Sequence, residues 1–294
     1  MMNAPFYPSS LPIAKNMQPV QPSIINELRF QSLLVLGLSV PAEKAAQTDA
    51  LYRQLLDGTI ILDRQTNLHP EGIVIPGRPA RPELVPPLQV RRRSMATTEG
   101  RAALLHALCH IEFNAINLAL DAIWRFAGMP DQYYRDWLKV AAEEALHFSL
   151  LQQHLQSMGY AYGDFTGHDT LWEMVAKTSD DALARMALVP RTMEARGLDA
   201  APSTRSKLLQ VGDAAGAAII DVILRDEIGH VATGNRWFAY LCEQRDLDPV
   251  SCYADLTVRY RAPKLRAPFN LEARRAAGFS ERELQILLDI IDAK

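Results

Sequence analysis

AAEEALHFSLLQQHL, residues 141–155, is the point at which an apolar helix breaks its own pattern. Trp137, Val140 and Ala141 before the break fall on one helical stripe with Leu151, Leu155 and Met158 after it. Continued at helical spacing, that stripe passes through Glu144 and His147. Residues three apart share a helix face and lie only about 4.5 Å apart along the axis, so a Glu and a His so spaced can hold one metal ion. The break recurs in RDEIGHVATG, residues 225–234. There Ile219, Ile220, Ile223 and Leu224, then Val231, Phe238 and Leu241, form a stripe that runs through Glu227, with His230 three residues on. The chain holds no other Glu-x-x-His pair.

Two lone glutamates show the same anomaly. Glu112 interrupts the stripe of Leu105, Leu108, Ile116, Ala119, Leu120 and Ile123, and Glu194 interrupts that of Leu183, Ala187 and Leu198. The periodicity predicts four long helices. The first spans about Thr98 to Ala127, ended by Gly128 and Pro130, and the second Asp131 to Met158, ended by Gly159. The third runs from Ser179 or Asp180 to Leu198, kinked at Pro190, with a separate helical stretch from Ser203. The fourth spans Asp213 to Arg245. A crossover with a short helix near Leu171–Lys177 joins the two hairpins. The interval from Glu112 to Glu144 nearly equals that from Glu194 to Glu227. Each half is thus a lone Glu, a hairpin, then Glu-x-x-His, the pseudo-two-fold pattern of di-metal carboxylate bundles. The expected fold is all-α: a ferritin-like four-helix bundle with N-terminal and C-terminal extensions.

Charge decides what such a core must contain. Four unpaired carboxylates in an apolar interior would cost several kcal/mol each and repel one another, whereas two divalent cations balance their charge. Oxygen-rich ligation with one imidazole per ion suits iron, or manganese, and a site without thiolates argues against structural zinc. Glu112, Glu144, His147, Glu194, Glu227 and His230 are therefore the expected metal ligands and catalytic residues. A ligand histidine usually gives its other ring N–H to a carboxylate. Asp226 is expected to orient His147, and Glu143 to orient His230, each from the facing helix. Arg191 stands as either a group supporting the site or a surface arginine. His106 and His110 fall off the Glu112 face and are read as solvent or hairpin contacts. His69, His154 and His168 lack ligand spacing.

The remaining features set bounds. With Lys plus Arg 31 and Asp plus Glu 34 the net charge is −3, which gives no footprint for nucleic acid or for an anionic membrane. No run approaches the roughly 20 apolar residues of a membrane span and no secretion signal opens the chain, so a cytoplasmic location is expected. Cys109, Cys242 and Cys252 form no C-x-x-C pair and are read as small buried apolar residues. The expected organisation is a Pro-rich flexible arm over 1–23, an extension over 24–96, the metal bundle over 97–245 and a C-terminal helical extension over 246–294. The first extension holds an apolar segment from Ile24 to Leu38, a helix from Pro41 to Leu56, a short strand or turn over 58–64 and an extended connector. That connector contains Pro70, Pro76, Pro79, Pro82, Pro86 and Pro87, and Arg91, Arg92 and Arg93 after it read as a solvated face. The C-terminal extension reads as two short helices, the last opened by a capping box of Ser280 and Glu283.

The stretches EGRAALLHALCHIEFNAINLALDAIWRF (99–126), EEALHF (143–148), MEARGLD (193–199) and RDEIGH (225–230) resemble a bacterial family of ferritin-like proteins catalogued as a domain of unknown function. The resemblance runs from about Pro70 to the end of the fourth long helix. More broadly, the ligand pattern is similar to that of di-iron oxygenases, ribonucleotide reductase small subunits and ferritin-like oxidases. It implies two iron ions, with manganese as the other candidate, and chemistry with O₂ or peroxide. Reductase small subunits place a radical tyrosine four residues after the ligand histidine, where this chain has Leu151. Rubrerythrin-like proteins carry cysteine pairs that this chain lacks, so electrons are expected from an external donor. The leading expectation is an oxidoreductase that activates O₂ to oxidise a small organic substrate; a homodimer is compatible with it. The alternatives are an iron-handling ferroxidase, a di-manganese catalase-like enzyme, and a non-catalytic interaction protein braced by its metals.

Overall fold

A computed structural model describes residues 26–91 and 93–292. The arm expected over 1–23 lies outside the described residues. Among the described residues every regular element is helical, and the only extended pairings are the isolated bridges Glu27–Ile61 and Leu84–Gly167. The strand-or-turn segment over 58–64 is thus extended chain held to the start of the first helix.

Helix α1 spans Leu28–Leu36 and α2 Pro41–Leu56, with Pro41 at its first turn, where its missing N–H costs nothing. The long helix α3 spans Thr98–Arg125 and α4 Asp131–Ser157. Thr97 caps α3 by accepting from the Gly100 N–H at 3.0 Å. Gly128, at φ 77°, makes the turn between α3 and α4. The crossover carries α5, Thr170–Lys177. Helix α6, Ala182–Leu188, then runs into a π-helical turn, Val189–Glu194, and on into α7, Ala195–Gln210. Helix α8 spans Ala214–Glu243. Helices α9 (Pro249–Arg259), α10 (Leu271–Ala276) and α11 (Glu281–Asp292) follow.

The third long segment departs from expectation twice. Pro190 sits inside the π-helical turn, and the wider helix there accommodates its ring, for which Gly234 on α8 leaves room. A Cβ at Gly234 would meet the Pro190 ring carbons at 2.6 Å. Pro202 does not separate two helices, because α7 runs through it. Proline deprives the carbonyl four residues earlier of its partner, and here Asn270 supplies one, its Nδ2 donating to Leu198 O at 3.2 Å. Among the described residues the C-terminal extension holds three helices rather than two. The extra one, α10, spans only Leu271–Ala276, too short for periodicity to reveal, and is capped by Asn270. Ser280 and Glu283 do form the reciprocal cap of α11, with Ser280 N donating to Glu283 Oε2 at 2.8 Å.

Helices α3 and α4 pack as one pair and α7 and α8 as another; α4 against α8 joins the pairs, α6 packs on α8, and α1 and α2 cover α3 and α4. One apolar cluster runs through the pairs and includes Ile116, Leu120, Trp137, Phe148, Leu151 and Phe238. A second, with Ala195, Leu198, Val231, Phe279 and Leu284, seals the outer side of α7 and α8 beneath α10 and α11. Helix α3 is by length and composition apolar enough to cross a membrane, and 72% of its most apolar window is buried inside the protein.

The Pro-rich connector is pinned by a buried lysine. Lys44 Nζ donates to Leu36 O at 2.9 Å, Gly77 O at 2.8 Å and Asn117 Oδ1 at 2.5 Å, and burial, with Arg78 nearby, pushes its ammonium down to about 7. Gly77 lies so close to α1 that a Cβ there would stand 2.1 Å from Gly37 O. Backbone cannot yield as a flexible side chain can. Gly77→Ala is therefore expected to lose at least the roughly 1–3 kcal/mol typical of overpacking. Denaturant unfolding checks this, and an unchanged midpoint would count against the close approach.

Candidate metal centre

Helix α3 brings Glu112 to the interior, α4 brings Glu144 and His147, and α8 brings Glu227 and His230. All five side chains are buried. They fall into two triads, Glu112–Glu144–His147 and Glu144–Glu227–His230, in each of which the donor atoms lie within 4.8 Å of one another. Glu144 belongs to both. Its Oε2 lies 3.2 Å from His147 Nδ1 and its Oε1 lies 2.9 Å from His230 Nδ1. Glu112 Oε2 stands 3.6 Å from His147 Nδ1, and Glu227 Oε2 stands 3.9 Å from His230 Nδ1. The imidazole centroids are 5.7 Å apart.

Glu194, the last residue of the π-helical turn, belongs to neither triad. It is buried beside them, close enough for the charge of Glu144 to act on it, and neither of its oxygens has a partner. The structure therefore brings five of the six expected ligands together and sets the sixth next to them.

The orphaned atoms show what is missing from the hydrogen bonding. Glu112 Oε2, Glu144 Oε1, Glu227 Oε2 and His230 Nδ1 are also buried without a hydrogen-bond partner. The 2.9 Å approach of His230 Nδ1 to Glu144 Oε1 lacks hydrogen-bond geometry. Buried polar atoms are nearly always satisfied, so a concentration of orphans at one point implies an absent partner. Carboxylate oxygens and imidazole nitrogens facing one space fit a cation, and these residues could hold metal ions.

The outer nitrogens are satisfied. His147 Nε2 meets Asp226 Oδ2 at 3.1 Å, and His230 Nε2 meets Glu143 Oε2 at 3.0 Å, each across the interface of α4 and α8. Asp226 is held in turn by Arg225 at 2.8 Å, and Glu143 by Lys139 at 2.5 Å. Burial opposes ionisation of Glu143, but the bonds from His230 and Lys139 outweigh it and keep the carboxyl below the usual range. At Asp226 burial is likewise outweighed, by Arg225 and His147. A carboxylate on Nε2 fixes the tautomer that turns the Nδ1 lone pair to the interior. Asp226→Ala is expected to weaken metal binding by roughly 10–100-fold, the usual cost of losing such a partner. Competition with a metal-sensitive dye measures it, and wild-type affinity would remove Asp226 from the account.

Burial and mutual charge shift the ionisation of the clustered groups in opposite directions. Burial, then the charge of Glu144, pushes Glu112 and Glu194 up to about 8 and raises Glu227 well above the carboxylate range. Glu144 goes the other way: burial opposes its ionisation, but the charge of His230 and the charge and hydrogen bond of His147 pull it well down. Burial also opposes the His147 cation, yet Glu112 and Glu144 push it up to about 12, and His230 is raised too. Burial thus favours the neutral forms of Glu112, Glu194 and Glu227, while the two imidazoles beside Glu144 favour its charged form.

Several residues read otherwise from sequence prove to be buried. His106 and His110 do not face solvent. His106 Nε2 accepts from Gly163 N at 2.9 Å, and His110 bonds the Tyr162 hydroxyl at 2.8 Å and His168 O at 3.1 Å. Tyr162 reaches them from the crossover and packs on Phe113 and Phe148, which neighbour Glu112 and His147 in the chain. Nothing in the local sequence signals this long-range packing. Arg191 is buried, not at the surface, and bonds Asn235 and Glu283 rather than any of the triad residues. His154 pairs with Asp213 at 2.9 Å. Cys109 and Cys242 are buried, while Cys252 is half-buried.

Fold and site together define an all-helical protein whose interior holds Glu/His groups able to bind metal. The chain belongs to the family described as "Protein of unknown function (DUF455)", which matches residues 38–285. It is 44% identical over 277 residues to a protein of Haemophilus influenzae described as an uncharacterized protein, covering 91% of this chain and 96% of that one. No solved structure matches.

Proposed function

We propose that this protein is a ferritin-like, cytoplasmic oxidoreductase that holds two iron ions between its paired helices and uses O₂ to oxidise a small organic substrate. The observation that carries the reading is the position of Glu144, whose two oxygens serve two different Glu/His triads. A carboxylate so shared can bridge two cations. In this reading α3 and α4 form one hairpin of a four-helix bundle, and the segment from α6 through α7 forms the other with α8. Iron is favoured over zinc because the donors are oxygen-rich, with one imidazole per triad and no thiolate in either. Bound iron supplies one-electron redox chemistry with O₂, and an external donor supplies the reducing equivalents.

The chain's own residues do the rest. Glu112 and His147 would hold one ion with Glu144, and Glu227 and His230 would hold the other with it. Glu194, with both oxygens unpartnered at the end of the π-helical turn, would be the remaining ligand of the set. Asp226 and Glu143 keep the imidazoles in the binding tautomer. The apolar cluster around Phe113, Phe148 and Leu151 keeps bulk water away.

Anaerobic loading with Fe(II) followed by exposure to O₂ tests the reading. The expected result is consumption of one O₂ per pair of ions, with new near-ultraviolet absorption. Oxidation continuing well past two equivalents per chain would make iron itself the substrate. A loaded site inert to both O₂ and peroxide would leave only a structural brace.

A further inference from the structure

A second feature lies on the opposite side of the π-helical turn. A cleft of about 610 Å³ opens between α8, α9 and the α10–α11 segment. That volume is in the range of small-molecule sites, and an apolar wall there meets convergent polar groups. Ala232, Phe238, Ala239, Pro249 and Val250 supply apolar wall, and Arg191, Asn235 and Glu283 are among its polar groups.

Arg191 is only 5% exposed and is enclosed by the rings of Phe238, Tyr253 and Phe279, with its guanidinium carbon 4.9, 5.0 and 4.8 Å from their centroids. One terminal nitrogen donates to Asn235 Oδ1 at 2.8 Å, the other pairs with Glu283 Oε1, and Nε is buried without a partner. A guanidinium side matches a carboxylate through two parallel N–H···O bonds. Glu283 cannot complete that match, because its Oε2 is committed to the Ser280 N–H and hydroxyl in the cap of α11. The arginine thus holds a stand-in carboxylate by one oxygen and keeps an unused donor beside it. The other arginines of the cleft are engaged elsewhere, Arg236 with Asp136 and Arg282 with Asp248.

We propose that this cleft binds a small organic carboxylate with an apolar body, which displaces Glu283 and takes the Nε side of Arg191 with both oxygens. The apolar wall takes the body of the ligand and Asn235 holds the arginine in place. The inference does not depend on the identity of the metal, because none of its residues is an expected ligand.

Isothermal titration of the full chain, metal-free and metal-loaded, tests it with hexanoate, hexyl phosphate and hexanol as probes. Hexanoate is expected to bind one per chain, at least tenfold more tightly than hexanol and more tightly than hexyl phosphate. Glu283→Gln removes the competing charge while keeping an oxygen for the Ser280 cap, and is expected to tighten hexanoate binding about tenfold. It should also melt lower than wild type, with hexanoate but not hexanol restoring the midpoint. Arg191→Gln is expected to lose the binding. If that variant fails to fold, the Glu283→Gln comparison still decides. Absence of hexanoate binding in both wild type and Glu283→Gln overturns the proposal. So does binding to Glu283→Gln alone, which would make Glu283 a permanent occupant, and so does preference for hexyl phosphate or equal affinity for hexanol.

Discussion

Replacing Glu144 with alanine is expected to empty both metal positions at once. Glu112→Ala and Glu227→Ala should each strike mainly one, because Glu112 stands by His147 and Glu227 by His230, while Glu144 reaches both rings. The effect should exceed the roughly 10–100-fold loss that follows removal of an outer partner such as Asp226. Elemental analysis after equilibrium dialysis measures it: near-zero metal in the Glu144 variant, and about half loading in each of the others. Full loading of Glu144→Ala would show that the shared position has no role in binding, and the two-ion reading would fall with it.

The second large effect is a reversal of pH dependence on metal binding. In the metal-free protein Glu112 and Glu194 are pushed up to about 8, above their ordinary value of 4.5, and His147 up to about 12, above 6.5. A group whose folded pKa is raised stabilises the fold fully below its unfolded pKa and loses that contribution as pH rises through the folded one. All three act in the same direction between pH 5 and 8. Glu144, Glu143 and Asp226 are shifted down, so their contribution is lost only on acidification below the ordinary carboxylate range. Stability of the metal-free protein is therefore expected to fall from pH 5 to pH 8. Binding metal requires the protons to leave, so affinity rises over the same interval and the loaded protein should gain stability as the pH rises. Thermal melts with and without chelator across this range check both slopes. Parallel profiles would mean that these carboxyls do not bind the ion.

What the sequence makes legible follows from locality. Helices α3, α4 and α8 could be placed to within two residues at each end, because their apolar stripes are long and Thr97, Gly128, Gly159 and Asp213 punctuate them. The polar residues of the interior were visible for the same reason, as interruptions of a stripe. Features set by distant partners were not visible. The continuity of α7 through Pro202 depends on Asn270, far along the chain. The burial of His106 and His110 depends on Tyr162 and the crossover backbone. Arg191 offered no choice between interior and surface until Phe238, Tyr253 and Phe279 were seen to surround it. The π-helical turn left a partial trace in Pro190, but proline alone does not distinguish a kink from a widened turn.

The most direct measurement is anomalous diffraction at the iron edge from crystals of the iron-loaded protein. The account predicts two peaks flanking the Glu144 carboxylate, one beside Glu112 and His147 and the other beside Glu227 and His230. A single peak, or peaks away from these side chains, would contradict it.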